Sequence, residues 1–249
     1  MPLVEVQVVC IRRYAKELSE IPIFLATEVL PSDPIVARVL ELENVHLISL
    51  SNTESDFLES RVAAFKYLPD EYDFVLPLQE DFWLDRKPDY EALKEALDIM
   101  SSDLVVQSIR LMPSPGPHES DLPYKGIWKI LSERDTYRFT FQATLWRREP
   151  YIEFLEAVIE SGKGEYAIGG FDNWSKFCVR VNIAENAKGQ ALFKELCMGH
   201  KHLSVQREHK GANAVFLGPW PYRPTAVVQG SLEPWAKEFI VREGFAHQV

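Results

Sequence analysis

The chain has 249 residues, a formal net charge of −10 and 46% hydrophobic residues. That length suits one large α/β domain or two small ones, with a substantial core, and the apolar content argues against a disordered chain. The acidic balance excludes non-specific nucleic-acid binding by the molecule as a whole, because Lys and Arg must neutralise the phosphates.

Cys10, Cys178 and Cys197 are far apart, odd in number and without a Cys-x-x-Cys pair. They are expected to be buried thiols in a reducing compartment. Glu5 interrupts the first apolar run, no basic leader precedes it, and no run approaches the ~18 apolar residues of a membrane span. The expectation is a cytoplasmic protein with no transmembrane segment.

In chain order, Leu3–Ile11 is valine-rich and partly alternating, which predicts a strand. Ile21–Thr27 and Val45–Leu50 are further strand candidates. Thr53-Glu54-Ser55-Asp56 has the form of a helix start, with Leu58, Val62 and Phe65 following at helical spacing. Tyr72–Leu84 is an apolar strand-like run that stops at Glu80 and Asp81. Pro88-Asp89 opens a helix with Leu93, Leu97 and Met100 on one face. Leu104–Leu111 predicts a strand, the four prolines between Met112 and Tyr124 a loop, and Thr136–Trp146 another strand. A helix follows Pro150, then a glycine-rich turn over 161–170 and a helix carrying Trp174, Phe177 and Val181. Ala214–Leu217 and Thr225–Gln229 are short strand candidates, and Ser231–Val241 a closing helix. The early alternation of strands and helices predicts a mainly parallel sheet covered by helices, with ligands beyond the carboxyl ends of its strands.

Paired acids at a strand end are costly to desolvate unless a cation meets them. A divalent metal carrying a phosphorylated substrate is one such partner, and a nearby Arg or Lys is the other. Mg²⁺ or Mn²⁺ takes oxygen ligands, and Asp81 is the better ligand, with Glu80 binding directly or through water.

Leu76-Pro77-Leu78-Gln79-Glu80-Asp81-Phe82-Trp83-Leu84, preceded by the helix Asp56–Phe65 and Pro69–Asp73, resembles small GT-A-fold glycosyltransferases of viral and bacterial type. In these a strand ends in a DXD-like acidic motif followed by an aromatic at the donor site. Arg138–Glu149 resembles their acceptor-side segment. The resemblance spans roughly Asn52 to Tyr151. It implies an α/β, GT-A-like (Rossmann-related), mainly parallel central sheet flanked by helices, with an antiparallel acceptor-side portion. It further implies a single domain with a donor-binding half over about 1–111 and an acceptor-side half over about 125–249. The implied activity is metal-assisted sugar transfer from a nucleoside diphosphate sugar to a hydroxyl of a glycan or related acceptor. This chain departs from the family motif in carrying Glu80-Asp81-Phe82 in place of Asp-X-Asp. One acid plus water, or weak metal dependence, is compatible with that change.

The family places an acidic general base at a helix start after the acceptor segment. The matching position is Asp172 in Gly169–Trp174, which suits inversion and is equally a good N-cap; Glu165 and Glu149 are substitutes. Arginine forks suit diphosphate oxygens, so Arg12, Arg13 and Arg61 are donor-side candidates, with salt-bridging surface roles as their alternative. Tyr14 is placed to stack on the base and Gln79 to hydrogen-bond the donor. Gln142 and Trp146 are acceptor-side candidates, Trp146 as a sugar platform or as core. His200, His202 and His209 form the one histidine cluster, expected in a solvated loop. A non-catalytic nucleotide-sugar or carbohydrate-binding protein, and a metal-dependent nucleotidyl or phosphoryl enzyme, are the competing functions.

Overall fold

The computed structural model describes residues 3–50, 57–112, 122–132, 138–162, 187–205, 218–223, 226–228 and 230–245. The protein is α/β. Helix α1 (Leu3–Tyr14) leads through a short 3-10 turn to strand β1 (Ile23–Thr27), then α2 (Pro34–Leu40), β2 (Val45–Ser49) and α3 (Phe57–Lys66). Two-residue strands β3 (Phe74–Val75) and β4 (Trp83–Leu84) precede α4 (Tyr90–Ser102) and β5 (Val106–Arg110). The hairpin β6 (Leu122–Lys125) and β7 (Trp128–Ile130) is followed by β8 (Thr144–Arg147) and α5 (Arg148–Gly162). Helix α6 (Ala187–Leu196), β9 (Lys201–Val205), β10 (Tyr222–Arg223), β11 (Val227–Val228), β12 (Ser231–Leu232) and α7 (Pro234–Arg242) complete the described elements.

Local sequence explains the helix starts. Asp33 and Asp89 accept backbone N–H bonds at the heads of α2 and α4, and proline occupies the first turn of α2 and α7. The predicted helix start at Thr53–Asp56 lies outside the described residues.

Leu3–Ile11 is helical, contrary to the strand its alternation predicts. The same valines also satisfy helical spacing: Val6 and Cys10 face one apolar cluster with Trp83, Phe239 and Ile240, while Ile11 enters another. The intervening polar residues are buried with partners. Glu5 takes both Nε and Nη2 of Arg38, and the Gln7 amide donates to the Gln79 carbonyl. Tertiary partners, unseen in the sequence, decide between the two periods.

The largest sheet has the order β3-β8-β5-β9-β7-β6, and only β5–β9 among its pairings is parallel. β1 and β2 form a separate parallel pair. The mainly parallel sheet expected from the early alternation is therefore not what the described strands form. Hairpin β6–β7, which the sequence reading assigned to no strand, and the β8 reversal supply the antiparallel pairings.

One sheet face carries the apolar row Leu145, Ile109, Leu203 and Ile130, packed near Ala96, Met100 and Trp128 beside α4. The opposite face carries the rows Trp146–Ser108–His202 and Thr144–Arg110–Ser204. Beside it lies a second cluster, in which Phe139 meets Phe141, Trp146, Tyr151, Phe154 and Phe193 with ring centroids 4.4 to 6.3 Å apart.

His202 sits in β9 and is fully buried, where a solvated loop was expected; His209 lies outside the described residues. Its Nδ1 lies 2.8 Å from the Ser108 hydroxyl and its Nε2 has no hydrogen-bond partner. Burial, then the nearby Arg138, His200 and Arg110, hold its pKa well below the ordinary 6.5. The folded chain therefore keeps His202 neutral, while the unfolded chain takes up a proton near pH 6.5. Stability falls as pH drops below 6.5, by at most about 1.4 kcal/mol per pH unit from this group. Urea midpoints at pH 7.5 and 5.5 test this: His202→Gln is expected to show a smaller loss between the two pH values than the wild type. An equal loss removes His202 as the cause.

Candidate functional site

Tyr72–Leu84 is two short strands joined by a turn, with Phe82 N–H donating to the Gln79 carbonyl at 3.1 Å. Glu80 and Asp81 occupy this turn. Trp83, fully buried, donates its indole N–H to the Glu80 carbonyl at 2.9 Å, and Ala226 N–H donates to the Asp81 carbonyl at 3.2 Å. With the Gln7 amide on the Gln79 carbonyl, the turn is held by α1 on one side and the β11 segment on the other.

The segment 218–223 braces the chain after the turn. Pro221 and Pro219 carbonyls accept from Asp85 and Asp89 N–H, and β10 pairs with β4. A Cβ at Gly218 would strike the Leu111 carbonyl oxygen, so only glycine lets this segment cross the end of β5. Phe82 stacks on Tyr222 (4.9 Å), whose hydroxyl donates to Gln142 Oε1. Gln142 is thereby coupled to the acid turn through two rings.

Neither acid meets a cation among the described residues. Burial, then the neighbouring Glu80 charge, push the Asp81 pKa up to about 6. The N–H groups of Asp81 itself and of Val227 oppose this without cancelling it. Asp85, by contrast, is a structural acid held between Arg86 (3.0 Å) and Arg223 (3.1 Å).

A cleft of about 1680 Å³ runs between α1, β1, α3 and the β3 segment. Arg12, Arg61 and Glu80, from three distant parts of the sequence, all line it. Asp81 does not; its carboxylate faces the Val227 amide. The arginine count of the lining is outweighed by Glu28, Asp33, Glu59 and Glu80.

Arg12 is largely committed to backbone, donating to the carbonyls of Ile21 (3.2 Å) and Asn44 (2.9 Å), and its Nε is buried without a partner. Burial lowers its pKa. Arg61 lies over Phe57 (4.2 Å) and Phe141 (5.4 Å), with its Nε buried and unpartnered and no carboxylate paired with it among the described residues.

Other sequence candidates are placed elsewhere. Tyr14 donates its hydroxyl to Glu243 at 2.8 Å, and Arg13 pairs with the same carboxylate at 2.5 Å, so both tie α1 to α7 rather than reach the cleft. Gln79 offers its carbonyl to Gln7. Trp146 is core, 2% exposed between Phe139, Tyr151 and Phe193, and has no open face for a sugar. Glu149 pairs with Arg148 at the head of α5. Asp172 and Glu165 lie outside the described residues.

The sequence reading missed Trp220, buried at 3%, whose unpartnered Nε1 belongs to a cleft-lining residue. The Gly218-Pro219-Trp220-Pro221-Tyr222 run was its only signal.

Cys10 and Cys197 are free and buried, and burial pushes their thiols up to about 12 and about 11. No group of three or more His, Cys, Asp or Glu side chains suited to a metal occurs among the described residues. No described helix is long and apolar enough to cross a membrane. No family model, curated protein or solved structure matches this chain.

Proposed function

We propose that the protein is a metal-assisted glycosyltransferase, moving a sugar from a nucleoside diphosphate sugar to a hydroxyl of a glycan or related acceptor. The observation that carries the reading is the uncompensated acid pair. Glu80 faces the cleft and Asp81 is driven up to about 6, with no lysine or arginine paired with either among the described residues. Such acids are stabilised by a cation brought with the ligand.

The donor set fits a hard divalent cation. Glu80, on the cleft, would supply a carboxylate oxygen, phosphate oxygens and water would complete the shell, and Asp81 would join only on turning from the Val227 amide. Bound there, Mn²⁺ or Mg²⁺ supplies charge neutralisation for the diphosphate leaving group. Arg61 contacts the diphosphate from the opposite wall, and its cover of Phe57 and Phe141 holds the guanidinium plane in place. Arg12 contributes positive field with little free donor capacity. Asp172 stays the proposed base for an inverting reaction, and Gln142 orients the acceptor through its link to Tyr222. Trp146 is proposed to support the acceptor side through packing alone, while Tyr14 and Gln79, which do not line the cleft, take no part in donor binding. The buried thiols suit a cytoplasmic enzyme.

Thermal-shift and calorimetric titration with UDP-, GDP- and dTDP-sugars, with and without Mn²⁺, tests the reading. Binding of one of them is expected to tighten with Mn²⁺, and Arg61→Ala to weaken it about tenfold to a hundredfold. An Arg61→Ala protein that binds the donor as tightly as the wild type overturns the role of Arg61. Because Asp81 titrates near 6, metal-dependent binding is expected to weaken as pH falls through 6, as protons compete for the carboxylate.

A non-catalytic binding protein on the same residues is the second reading. It is favoured by the orientation of Asp81 away from the cleft. Donor binding with no release of nucleoside diphosphate in the presence of any acceptor supports it.

A further inference from the structure

The cleft has walls of an unusual kind. All of β1, Ile23 to Thr27, lines one side, and residues 74–78, beginning with β3, line the other. Among the described residues β1 is hydrogen-bonded to β2 alone and β3 to β8 alone, and both strands line the same space. Open edges on two such strands hold N–H and C=O groups that a further strand satisfies on both sides at once.

The segment beside this slot is α1, whose Leu3, Val4, Gln7, Val8 and Ile11 also line the cleft. Its composition suits a strand better than a helix. Val4, Val6, Val8, Val9 and Ile11 are β-branched, five of the nine residues from Leu3 to Ile11. Part of what holds the helix in place is polar: Glu5 with the half-exposed Arg38, the half-exposed Arg13 with Glu243, and Gln7 with the Gln79 carbonyl. The apolar hold is the packing of Val6 and Cys10 against Trp83, Phe239 and Ile240, with Val8 buried and Ile11 set in the cluster beside α4.

We propose that Leu3–Ile11 has a second, extended conformation that fills the slot between β1 and β3. Filling it joins the β1–β2 pair to the large sheet, in the order β2-β1-segment-β3-β8-β5-β9-β7-β6. The connection 12–22 is longer than a hairpin loop and falls at the minimum of about 10–12 residues for a crossover, so the segment is assigned parallel to β1. Its end then meets the end of β1 near Thr27 and Glu28, both of which line the cleft. The slot is part of the cleft proposed for the donor, so the extended segment and a donor exclude one another there, and the inference is tested without any ligand.

The test is NMR of the whole chain carrying ¹³C-labelled valine, which reads helix or strand directly at Val4, Val6, Val8 and Val9. Amide exchange is measured in parallel at the β1 and β3 residues whose N–H groups do not donate to β2 or β8. Extended shifts for about a tenth or more of the valine signal, with protection of those edge amides, are the expected result. Val4→Ala/Val9→Ala, which favours the helix, is expected to lower that population several-fold. Helical shifts at all four valines overturn the proposal whatever the amides do. Extended shifts without edge protection also overturn it, because the segment is then extended outside the slot.

Discussion

Asp81→Asn is expected to make the protein more stable and to impair the sugar transfer proposed for it. The asparagine keeps an oxygen for the Val227 amide while removing a charge that burial and Glu80 both disfavour. The rise in Asp81 pKa from 3.8 to about 6 corresponds nominally to about 3 kcal/mol. Discounted for the side chain's partial exposure, roughly 1 kcal/mol of added stability at pH 7.5 remains. For a domain of this length that raises the melting temperature by about 2–4 °C. The kcat/KM of the proposed sugar transfer is expected to fall on the order of 10²–10³-fold.

The gain in stability has a pH signature whose sign follows from the raised pKa. Wild-type Asp81 takes up its proton as pH falls through 6, so its penalty disappears between about pH 6 and 3.8. Asp81→Asn should therefore outlast the wild type above pH 6 and lose that advantage below it. His202 acts in the opposite direction below 6.5, so the comparison is made between variants at each pH. A stabilised Asp81→Asn protein that still turns over donor removes Asp81 from the metal site. A destabilised one shows the carboxylate to be structural.

Trp83 carries the second large effect. It is fully buried, lies 5.5 Å from the Phe239 ring and 5.8 Å from Trp235, and holds the Glu80 carbonyl at 2.9 Å. Trp83→Ala is expected to cost about 3–5 kcal/mol in chemical denaturation. Trp83→Phe keeps most of the packing and loses the indole N–H, leaving the Glu80 carbonyl short of a donor, for about 1 kcal/mol. Because that carbonyl belongs to the acid turn, the Phe variant should lose more donor affinity than its stability alone explains. Equal donor affinity in Trp83→Phe and wild type shows that the indole bond does not position the acids.

Some features were legible because they are local. Asp89 announces the start of α4 by chemistry that acts within one turn, and of the face expected at Leu93, Leu97 and Met100 the structure buries Met100, with Ala92, Ala96 and Ile99, and leaves Leu93 and Leu97 partly buried. β1, β2 and β5 are short apolar runs between polar breaks and appear where expected. Arg61 was legible as a charge on an otherwise apolar helix face, and the structure sets it on the cleft with Glu80.

Other features depended on partners far along the chain. Val4-Glu5-Val6-Gln7-Val8 fits periods of 2 and 3.6 about equally, and Arg38, Gln79 and the Trp83 cluster select the helix. The strand expected over Thr136–Trp146 is limited to Thr144–Arg147 among the described residues, because Phe139 and Phe141 turn inward to an aromatic cluster. His202 looked like part of a polar run, yet cross-strand pairing with Ser108 places it at the centre of the sheet.

By itself the sequence determined the acid pair after an apolar run, the α/β content and the arginine on α3, because composition and short-range periodicity specify those. Only the tertiary structure decided that Glu80 and Asp81 face different ways, that no described cation offsets them, and that β1 and β3 stand apart across a cleft. Each of those depends on side chains and strand edges brought together from distant positions, and no local pattern records which of them will meet.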